Sequence, residues 1–435
     1  MELRKLCISG LFGHFNHIIP LNDENITIIT APNGYGKTIA LKIIDAVFNR
    51  KFGFIAALQF QSIELVTDSD VLTVAKENPE EGNFVLSSDR YPENPMQYNS
   101  DKVRRRLRGV SLNEVDTRIP YLQRIDMEHW EDMRSGELHD IDSLIENFSQ
   151  HFPEGTPATS IPDWYKATCD QLTAHFIQDQ RLILKRLEPS RRRAQHFINT
   201  IEKYAQDLAR RIKEAGFNSQ RISQNLDTSF PERLLQKKSE FEAFEIDQLK
   251  LELQELQRKR EQLSRFSLLS SERHLPQLNV LDEIKEEDKK VLTLYVKDTK
   301  QKLEAYTPLL NKIQLFFSIL NEKRLSFKRV EIDQESGFRF ETEESRPLEL
   351  TQLSSGEQHQ VVLLYELIFN TQENVLVLID EPEISLHVAW QKEFLNDLKK
   401  IIALQNMPVV IATHSPQIID ENWHLTVDLE EGAVA

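Results

Sequence analysis

The chain has 435 residues and a formal net charge of −16, which argues against a protein that coats nucleic acid through charge alone. Its two cysteines, Cys7 and Cys169, are too few for a disulfide framework, and it has no apolar run of about 18 residues that would span a bilayer. The first ten residues carry early charges and reach a glycine turn, unlike a signal peptide. We therefore expect a cytoplasmic protein of two or three domains without a membrane segment.

The first 90 residues predict a β-rich segment built around one glycine turn. Residues 3–12 and 14–21 have the pattern of a β-hairpin, and the β-branched residues 26–29 predict a buried strand. The turn "APNGYGKT" and an apolar-periodic helix follow that strand, and short β-rich runs follow between residues 54 and 88. From about 90 to 165 the sequence is polar, contains prolines and has no sustained period. We interpret this last segment as an irregular insertion.

The next segment has the composition of helices. From Pro189 to about Phe327 the chain is rich in Glu, Gln, Lys, Arg and Leu. Two stretches have the 3-4 spacing of a coiled-coil seam, and their apolar-face positions are Ile246, Leu249, Leu253, Leu256 and Leu263, then Leu292, Val296, Thr299, Leu303, Tyr306 and Leu310. Because Pro276 lies in the polar gap between the two stretches, we predict an antiparallel helical hairpin. A compact helical subdomain is the alternative.

The C-terminal segment alternates strands and helices. Residues 327–341 predict a hairpin, and residues 374–380 and 408–415 predict two buried strands on either side of a helix at about 384–404. Strands that are apolar on both faces and alternate with helices are typical of a parallel sheet that is covered on both sides. The fold class is therefore α/β, with helices on both faces of the sheet.

The turn at residues 31–38 fits the phosphate-loop pattern G-x-x-x-x-G-K-[ST] except at Ala31, which must then have a negative φ. Gly34 and Gly36 allow backbone N–H groups to face phosphate oxygens at the positive end of the following helix. Lys37 would reach the β- and γ-phosphates, and the Thr38 hydroxyl would bind Mg²⁺. We predict ATP contacts at Asn33, Gly34, Tyr35, Gly36, Lys37 and Thr38.

Two further strands end in polar residues at the edge where open α/β sheets bind ligands. "VLVLIDEPE" ends in Asp380, placed to bind Mg²⁺, and in Glu381, a candidate general base for the attacking water. "VVIATHSP" brings His414 to the same edge, where it would contact the γ-phosphate or that water. Buried strands rarely end in two acids unless a cation or polar groups meet them. We therefore predict Glu381 and His414 as catalytic residues and Thr38 and Asp380 as metal ligands.

The order of these motifs, with "LSSGEQ" before "LIDEPE" and "THS", resembles the ABC-type ATPases of the SMC, RecF and OLD group. The resemblance implies a P-loop ATPase head with a mixed sheet and an antiparallel β subdomain, interrupted by a helical coiled-coil insertion. It implies an N-terminal lobe at 1–188, the insertion at 189–325 and a C-terminal lobe at 326–435. It also implies the cofactors ATP and Mg²⁺.

In such ATPases two heads face each other, and the signature helix of one caps the nucleotide of the other. The resemblance therefore implies a homo-oligomer, at least a dimer, in which Ser354 and the backbone of Gly356 contact the partner's γ-phosphate. Ser355 replaces the usual glycine and Glu357 the usual glutamine. Read alone, this stretch would be a capped helix start. The group's Mg²⁺-sensing glutamine corresponds to Gln180, with Gln178 as the alternative.

Within the group the motifs look closest to ATPase subunits of prokaryotic anti-phage systems, first PARIS and then Septu. This implies a scaffold and sensor that holds a separate nuclease effector, Toprim-type before HNH-type, until a phage-encoded trigger acts. The stretch after Ser415 is too short for the roughly 100 residues of a nuclease domain, so we expect none in this chain. The alternative is a RecF-like repair ATPase that clamps DNA through a basic patch at 104–108, although charge runs of this kind are usually a solvated helix face. A third possibility is that ATP is a structural ligand that holds the assembly together with negligible turnover.

Overall fold

The computed structural model describes residues 1–100, 122–124, 129–132, 138–140, 161–177, 183–186, 196–236, 243–269, 286–322, 325, 327–372 and 374–430. The chain divides into two compact units. The first, the head unit, comprises Met1–Thr200 and Ser355–Ala435, and the second, the helical unit, comprises Ile201–Ser354. The helical unit therefore includes the hairpin that the sequence assigned to the C-terminal lobe.

The strands are β1 Leu3–Leu11, β2 Phe15–Pro20, β3 Ile26–Thr30, β4 Ser62–Thr67, β5 Val71–Ala75, β6 Phe84–Ser88, β7 Met96–Tyr98, β8 Leu122–Arg124, β9 His129–Asp132, β10 Leu138–Asp140, β11 Ala174–Ile177, β12 Ile183–Arg186, β13 His196–Asn199, β14 Lys328–Asp333, β15 Gly337–Thr342, β16 Pro347–Leu348, β17 Leu376–Asp380, β18 Val409–Ala412 and β19 Thr426–Asp428. The helices are α1 Lys37–Phe48, α2 Phe52–Ala57, α3 Asp163–Gln171, α4 Thr200–Gln236, α5 Ile246–Arg265, α6 Glu286–Glu304, α7 Thr307–Glu322, α8 Ser355–Tyr365, α9 Val388–Gln405 and α10 Pro416–Ile419. No helix in the described ranges is both long and apolar enough to cross a membrane.

A five-stranded sheet forms the centre of the head unit, in the order β11-β17-β18-β3-β19. Every pairing in it is parallel. All residues of β17 and β18 are buried, as expected for strands that are apolar on both faces. The register pairs Asp380 with Ala412 and Ala412 with Ile29, so the carboxyl ends of β17, β18 and β3 lie side by side. The parallel sheet predicted from the sequence is confirmed.

A second sheet of the head unit is antiparallel, with the strand order β2-β1-β4-β5-β6-β7. The predicted hairpin is its first pair, in which Leu6 lies opposite Ile19. Alternate side chains along these strands are buried in one apolar cluster shared with α1. Within the segment predicted as irregular, β8, β9 and β10 form a three-stranded antiparallel sheet. The α/β class with an antiparallel β subdomain and a helical insertion is therefore confirmed.

The helical unit buries the predicted seams but does not join them as predicted. Leu249, Leu253, Leu256 and Leu263 on α5 are 3% exposed or less, and Val296, Leu303 and Tyr306 of the second seam are also buried. Ion pairs join Glu245 to Lys289 at 3.2 Å and Glu252 to Lys300 at 3.5 Å, and both residue numbers increase together. The helices α5 and α6 are therefore parallel, and the predicted antiparallel hairpin is wrong.

The antiparallel neighbour of α6 is α4. Arg233 near the end of α4 forms a bidentate ion pair with Asp298, at 2.5 and 2.7 Å, and the earlier residue Asp227 pairs with the later residue Lys302 at 2.8 Å. The seam pattern predicts which face of a helix is buried but not the direction of its neighbour. The 20 residues between α5 and α6 can span about 60 Å when extended, twice the roughly 30 Å length of α5. The connection is therefore long enough to run from the end of α5 back to the level of its start, so that α6 can lie parallel to α5.

One glycine of the helical unit makes a testable packing contact. Gly337 starts β15 with φ +80°, and a Cβ built on it would lie 1.9 Å from the Ala205 carbonyl oxygen of α4. We expect Gly337→Ala to destabilise the helical unit by about 2–4 kcal/mol, since both the left-handed backbone and the clash oppose it. Thermal unfolding of the purified protein measures this loss.

Gly216 is the matched control, because it lies inside α4, where the one described atom outside the helix backbone within 4 Å of an added Cβ is the Tyr306 hydroxyl oxygen, at 3.9 Å. Gly216→Ala should leave stability unchanged or raise it by up to about 1 kcal/mol, since alanine is the better helix former. Equal unfolding temperatures for the two variants would contradict the close approach of β15 to α4.

Candidate phosphate-binding and catalytic site

The phosphate loop connects β3 to α1 at the carboxyl edge of the parallel sheet. Gly34 has φ +92° and Gly36 has φ +90°, and Gly36 precedes the first helical residue, Lys37. Among the described residues, the backbone N–H groups of Gly34 and Gly36 donate to no protein acceptor, which leaves them for an anion. Because Ala31 replaces the first glycine of the phosphate-loop pattern, a negative φ was predicted there. Ala31 is not among the residues with positive φ, so this prediction is confirmed. Asn33 and Gly34 are exposed, and Tyr35 is half-buried.

The last two residues of the loop, Lys37 and Thr38, make polar contacts with the start of the loop and with the end of β17. Lys37 is 5% exposed, and its Nζ donates to the Ala31 carbonyl oxygen at 2.8 Å. The Thr38 hydroxyl donates to Oδ1 of Asp380, the last residue of β17, at 3.0 Å. A hydroxyl and a carboxylate so placed offer the hard oxygen ligands that Mg²⁺ prefers. Two of the predicted metal ligands, Thr38 and Asp380, therefore lie together, and their oxygens suit that ion.

Glu381 turns the chain sharply away from β17. Its φ of 43° and ψ of 57° place it in the left-handed region, which is unfavourable for a residue with a side chain. Its N–H donates to the Ala412 carbonyl oxygen at 2.9 Å, which ties the turn to β18. Its Oε1 lies 4.0 Å from Lys37 Nζ, and its Oε2 lies 2.7 Å from His414 Nδ1. The structure thus brings together both predicted catalytic residues.

Glu383 completes this cluster, and the sequence analysis did not select it. Its Oε1 accepts from the Thr413 hydroxyl at 2.5 Å and the His414 N–H at 3.0 Å, and it lies 3.1 Å from His414 Nδ1. The side chain is buried, at 6% exposure. The available signal was a third acid, two residues after Glu381, in a short 3₁₀ turn. Glu381, Glu383 and His414 each offer one ligand atom within 4.8 Å of the others.

A buried histidine below the phosphate loop was also missed. His17 on β2 is 1% exposed, and its Nε2 lies 3.9 Å from the position of a Cβ on Gly36. Its ring stacks on Phe15, which in turn contacts the Tyr35 ring at 5.5 Å between centroids. Burial lowers the pKa of His17, and backbone groups of Tyr35 and Leu429 oppose that shift. The rings of His17, Phe15 and Tyr35 therefore pack beside the glycine turn of the phosphate loop.

The signature residues lie where the two units join along the chain. Ser354 ends the helical unit and is exposed, and Ser355 begins α8 in the head unit. Gly356 is half-buried and Glu357 is 7% exposed, in the first turn of α8. Gln178 and Gln180, the candidates for sensing Mg²⁺, lie outside the described residues, just after β11. Their assignment stays a prediction.

Together, the phosphate loop, the Thr38–Asp380 contact and the Glu381–His414 pair form a site of the kind found in P-loop ATPases. Residues 1–419 match the family described as "AAA ATPase domain", and the chain belongs to that family. Membership implies the use of a nucleotide, typically with Mg²⁺.

Comparison with curated proteins finds "Protein ea59" of Escherichia phage lambda, 39% identical over 74 residues. Those residues are 17% of this chain and 14% of the relative, so the chain spans only a small part of that protein's length. Among solved structures, the SMC head domain from Thermotoga maritima has a TM-score of 0.34 and 12% identity, covering 97% of this chain and 92% of that chain. The SMC head bound to the C-winged helix domain of ScpA has a TM-score of 0.36 and 11% identity, covering 96% and 91%.

Proposed function

We propose that this protein binds and hydrolyses ATP with Mg²⁺, and that ATP holds copies of the chain together. The observation that carries the proposal is the convergence of the Thr38–Asp380 contact, at 3.0 Å, and the Glu381–His414 contact, at 2.7 Å, beside the phosphate loop. The N–H groups of the loop and Lys37 would bind the phosphates, and Thr38 and Asp380 would hold Mg²⁺. Bound Mg²⁺ would neutralise charge on the β- and γ-phosphate oxygens.

Glu381 is the general base of the proposed reaction. Its carboxylate takes a proton from water as the water oxygen attacks the γ-phosphorus, and the bond to the ADP oxygen breaks with its electron pair. His414 uses Nδ1 toward the carboxylates, which can only accept when ionised, so Nδ1 carries the proton. Its side chain is half exposed, and Nε2 remains for the γ-phosphate or the water.

Assembly around ATP is supported by the surface next to the base. Ile384 is 61% exposed and Val388 is 51% exposed, three and seven residues after Glu381. Exposed apolar side chains mark a contact surface when they form a contiguous patch, and we propose that these two belong to such a patch. Ser354 and the start of α8 would then contact the γ-phosphate bound to a second copy, as the helix N-terminus suits an anion.

We further propose that the assembly is the scaffold and sensor of an anti-phage defence system, in which a separate nuclease is held until a phage-encoded trigger releases it. The support for this role is the resemblance of four stretches, at 31–38, 354–367, 378–395 and 412–420, to ATPase subunits of anti-phage systems. Co-purification with the product of the neighbouring reading frame tests it, with a Toprim nuclease expected first and an HNH nuclease second. A replication protein as that product, or salt-sensitive binding to duplex DNA, would instead favour a repair ATPase.

The central experiment combines nucleotide binding with sedimentation. We expect the purified protein to bind a fluorescent ATP analogue in the presence of Mg²⁺, to release phosphate, and to sediment as a dimer or larger species only with nucleotide. A protein that binds no ATP would contradict the proposed function. A protein that binds ATP without turnover would leave ATP as a structural ligand and remove Glu381 as base.

A further inference from the structure

We propose that Glu383 is a positioning residue that takes His414 away from Glu381 and so frees the general base. The inference rests on the proposed ATP hydrolysis, and it concerns a carboxylate that the resemblance to ABC-type ATPases did not select. No covalent bond changes in this step. The Nδ1 proton stays on His414, and only its hydrogen-bond acceptor changes.

The first observation is that His414 Nδ1 has two carboxylate acceptors. Oε2 of Glu381 lies 2.7 Å away and Oε1 of Glu383 lies 3.1 Å away. A single N–H cannot make both bonds at full strength, because hydrogen bonds weaken steeply away from linearity. While it favours Glu381, it occupies an oxygen that the base would offer to water. Transfer to Glu383 restores that oxygen.

The second observation is that Glu383 is built as a fixed acceptor. Its Oε1 already receives the Thr413 hydroxyl and the His414 N–H, at 2.5 and 3.0 Å, so the carboxylate is anchored to the residues that carry the imidazole. Its Oε2 is buried and has no hydrogen-bond partner among the described residues. The Glu383 carboxylate therefore retains acceptor capacity beyond the two donors that its Oε1 already receives.

The third observation is a buried amide that holds the two loops in register. Gln391 on α9 donates from Nε2 to the carbonyl oxygens of Glu383 and Leu386, at 3.3 and 3.0 Å. Its Oε1 accepts from the Ser415 hydroxyl at 2.9 Å. The loop after β17 and the loop after β18 are therefore tied through one side chain. A small rotation of the imidazole, rather than a loop movement, is sufficient to exchange its acceptor.

The test is a double-mutant cycle in the full-length protein, with ATP turnover and binding of a fluorescent ATP analogue as readouts. Glu383→Gln keeps the size and an acceptor oxygen but removes the charge, so we expect kcat to fall by about 10- to 100-fold, while KM and the Kd for the analogue change by less than about 3-fold. In the His414→Ala background the same substitution should change kcat by less than about 2-fold, because the two residues act as one unit.

Glu393→Gln is the matched control, since Glu393 is an exposed carboxylate on α9, and we expect its kcat to equal that of the wild type. Glu383→Asp keeps the charge on a shorter side chain and should recover part of the lost kcat, which separates the proposal from a folding defect in the glutamine variant. An unchanged kcat in Glu383→Gln, or an equal loss with and without His414, would overturn the proposal. A wild-type protein without ATP turnover would overturn the proposed function and this inference with it.

Discussion

The Lys37→Ala protein is expected to bind ATP at least about 100-fold more weakly than the wild type, because the variant loses charge-assisted hydrogen bonds to the phosphates. Lys37 is almost fully buried at the start of α1, and its ammonium group lies at the loop, on the Ala31 carbonyl oxygen. Alanine at this position leaves the glycine turn intact but removes the positive charge at its centre. Titration with a fluorescent ATP analogue in Mg²⁺ measures the change.

Lys42 provides the control for that substitution. It lies on the same helix, five residues further on, and is half-buried. Lys42→Ala should retain wild-type affinity for ATP, since a charge one and a half turns away from the loop is outside direct reach of the phosphates. Equal affinities for the wild type and Lys37→Ala would show that the loop does not bind the nucleotide.

The Glu381→Gln protein should bind ATP normally but hydrolyse it about 10² to 10⁴ times more slowly, the range associated with a missing general base. Glutamine preserves the length of the side chain and meets the same left-handed backbone, so its effect is on chemistry rather than on the turn. Because ATP then persists, the nucleotide-bound assembly should accumulate. Single-turnover phosphate release and sedimentation with ATP measure both effects.

The outcome that would remove Glu381 as the base is equal turnover by the wild type and the glutamine variant. Glu421→Gln, which changes an exposed carboxylate near the chain's end, should leave turnover unchanged and controls for the loss of one negative charge. A variant that loses ATP binding as well as turnover would indicate a positioning role for the carboxylate. In that case the assembly would not accumulate either.

The central sheet and the phosphate loop could be predicted because their signals are local. A β-branched run, a glycine turn and an apolar-periodic helix occur in one continuous stretch at residues 26–48. Each of these elements limits the structures that the following residues can adopt. The positions of Asp380 at the end of β17 and of His414 just after β18 were predicted for the same reason. In a parallel sheet, carboxyl ends meet at one edge, and the register confirms it.

The sequence could not predict which residues contact each other when they are far apart along the chain. Glu383 is one more acid in an acid-rich chain until the fold places its carboxylate on Thr413, 30 residues later. His17 is one alternating position in an edge strand, and its place below Gly36 depends on how the two sheets pack. The direction of α6 relative to α5 depends on how the chain returns between them. A seam of buried leucines is equally compatible with either direction.

The left-handed backbone conformation of Glu381 lowers the stability of the fold, whereas its carboxylate is needed for the proposed hydrolysis. A left-handed conformation costs a residue with a side chain about 1–2 kcal/mol, and glycine would remove that cost. The acid therefore persists at a position where the fold alone favours a residue that has no side chain. A selection for heat resistance that measures unfolding but not ATP turnover would therefore favour glycine at position 381. The variants it selects would be more stable but would lack the proposed general base.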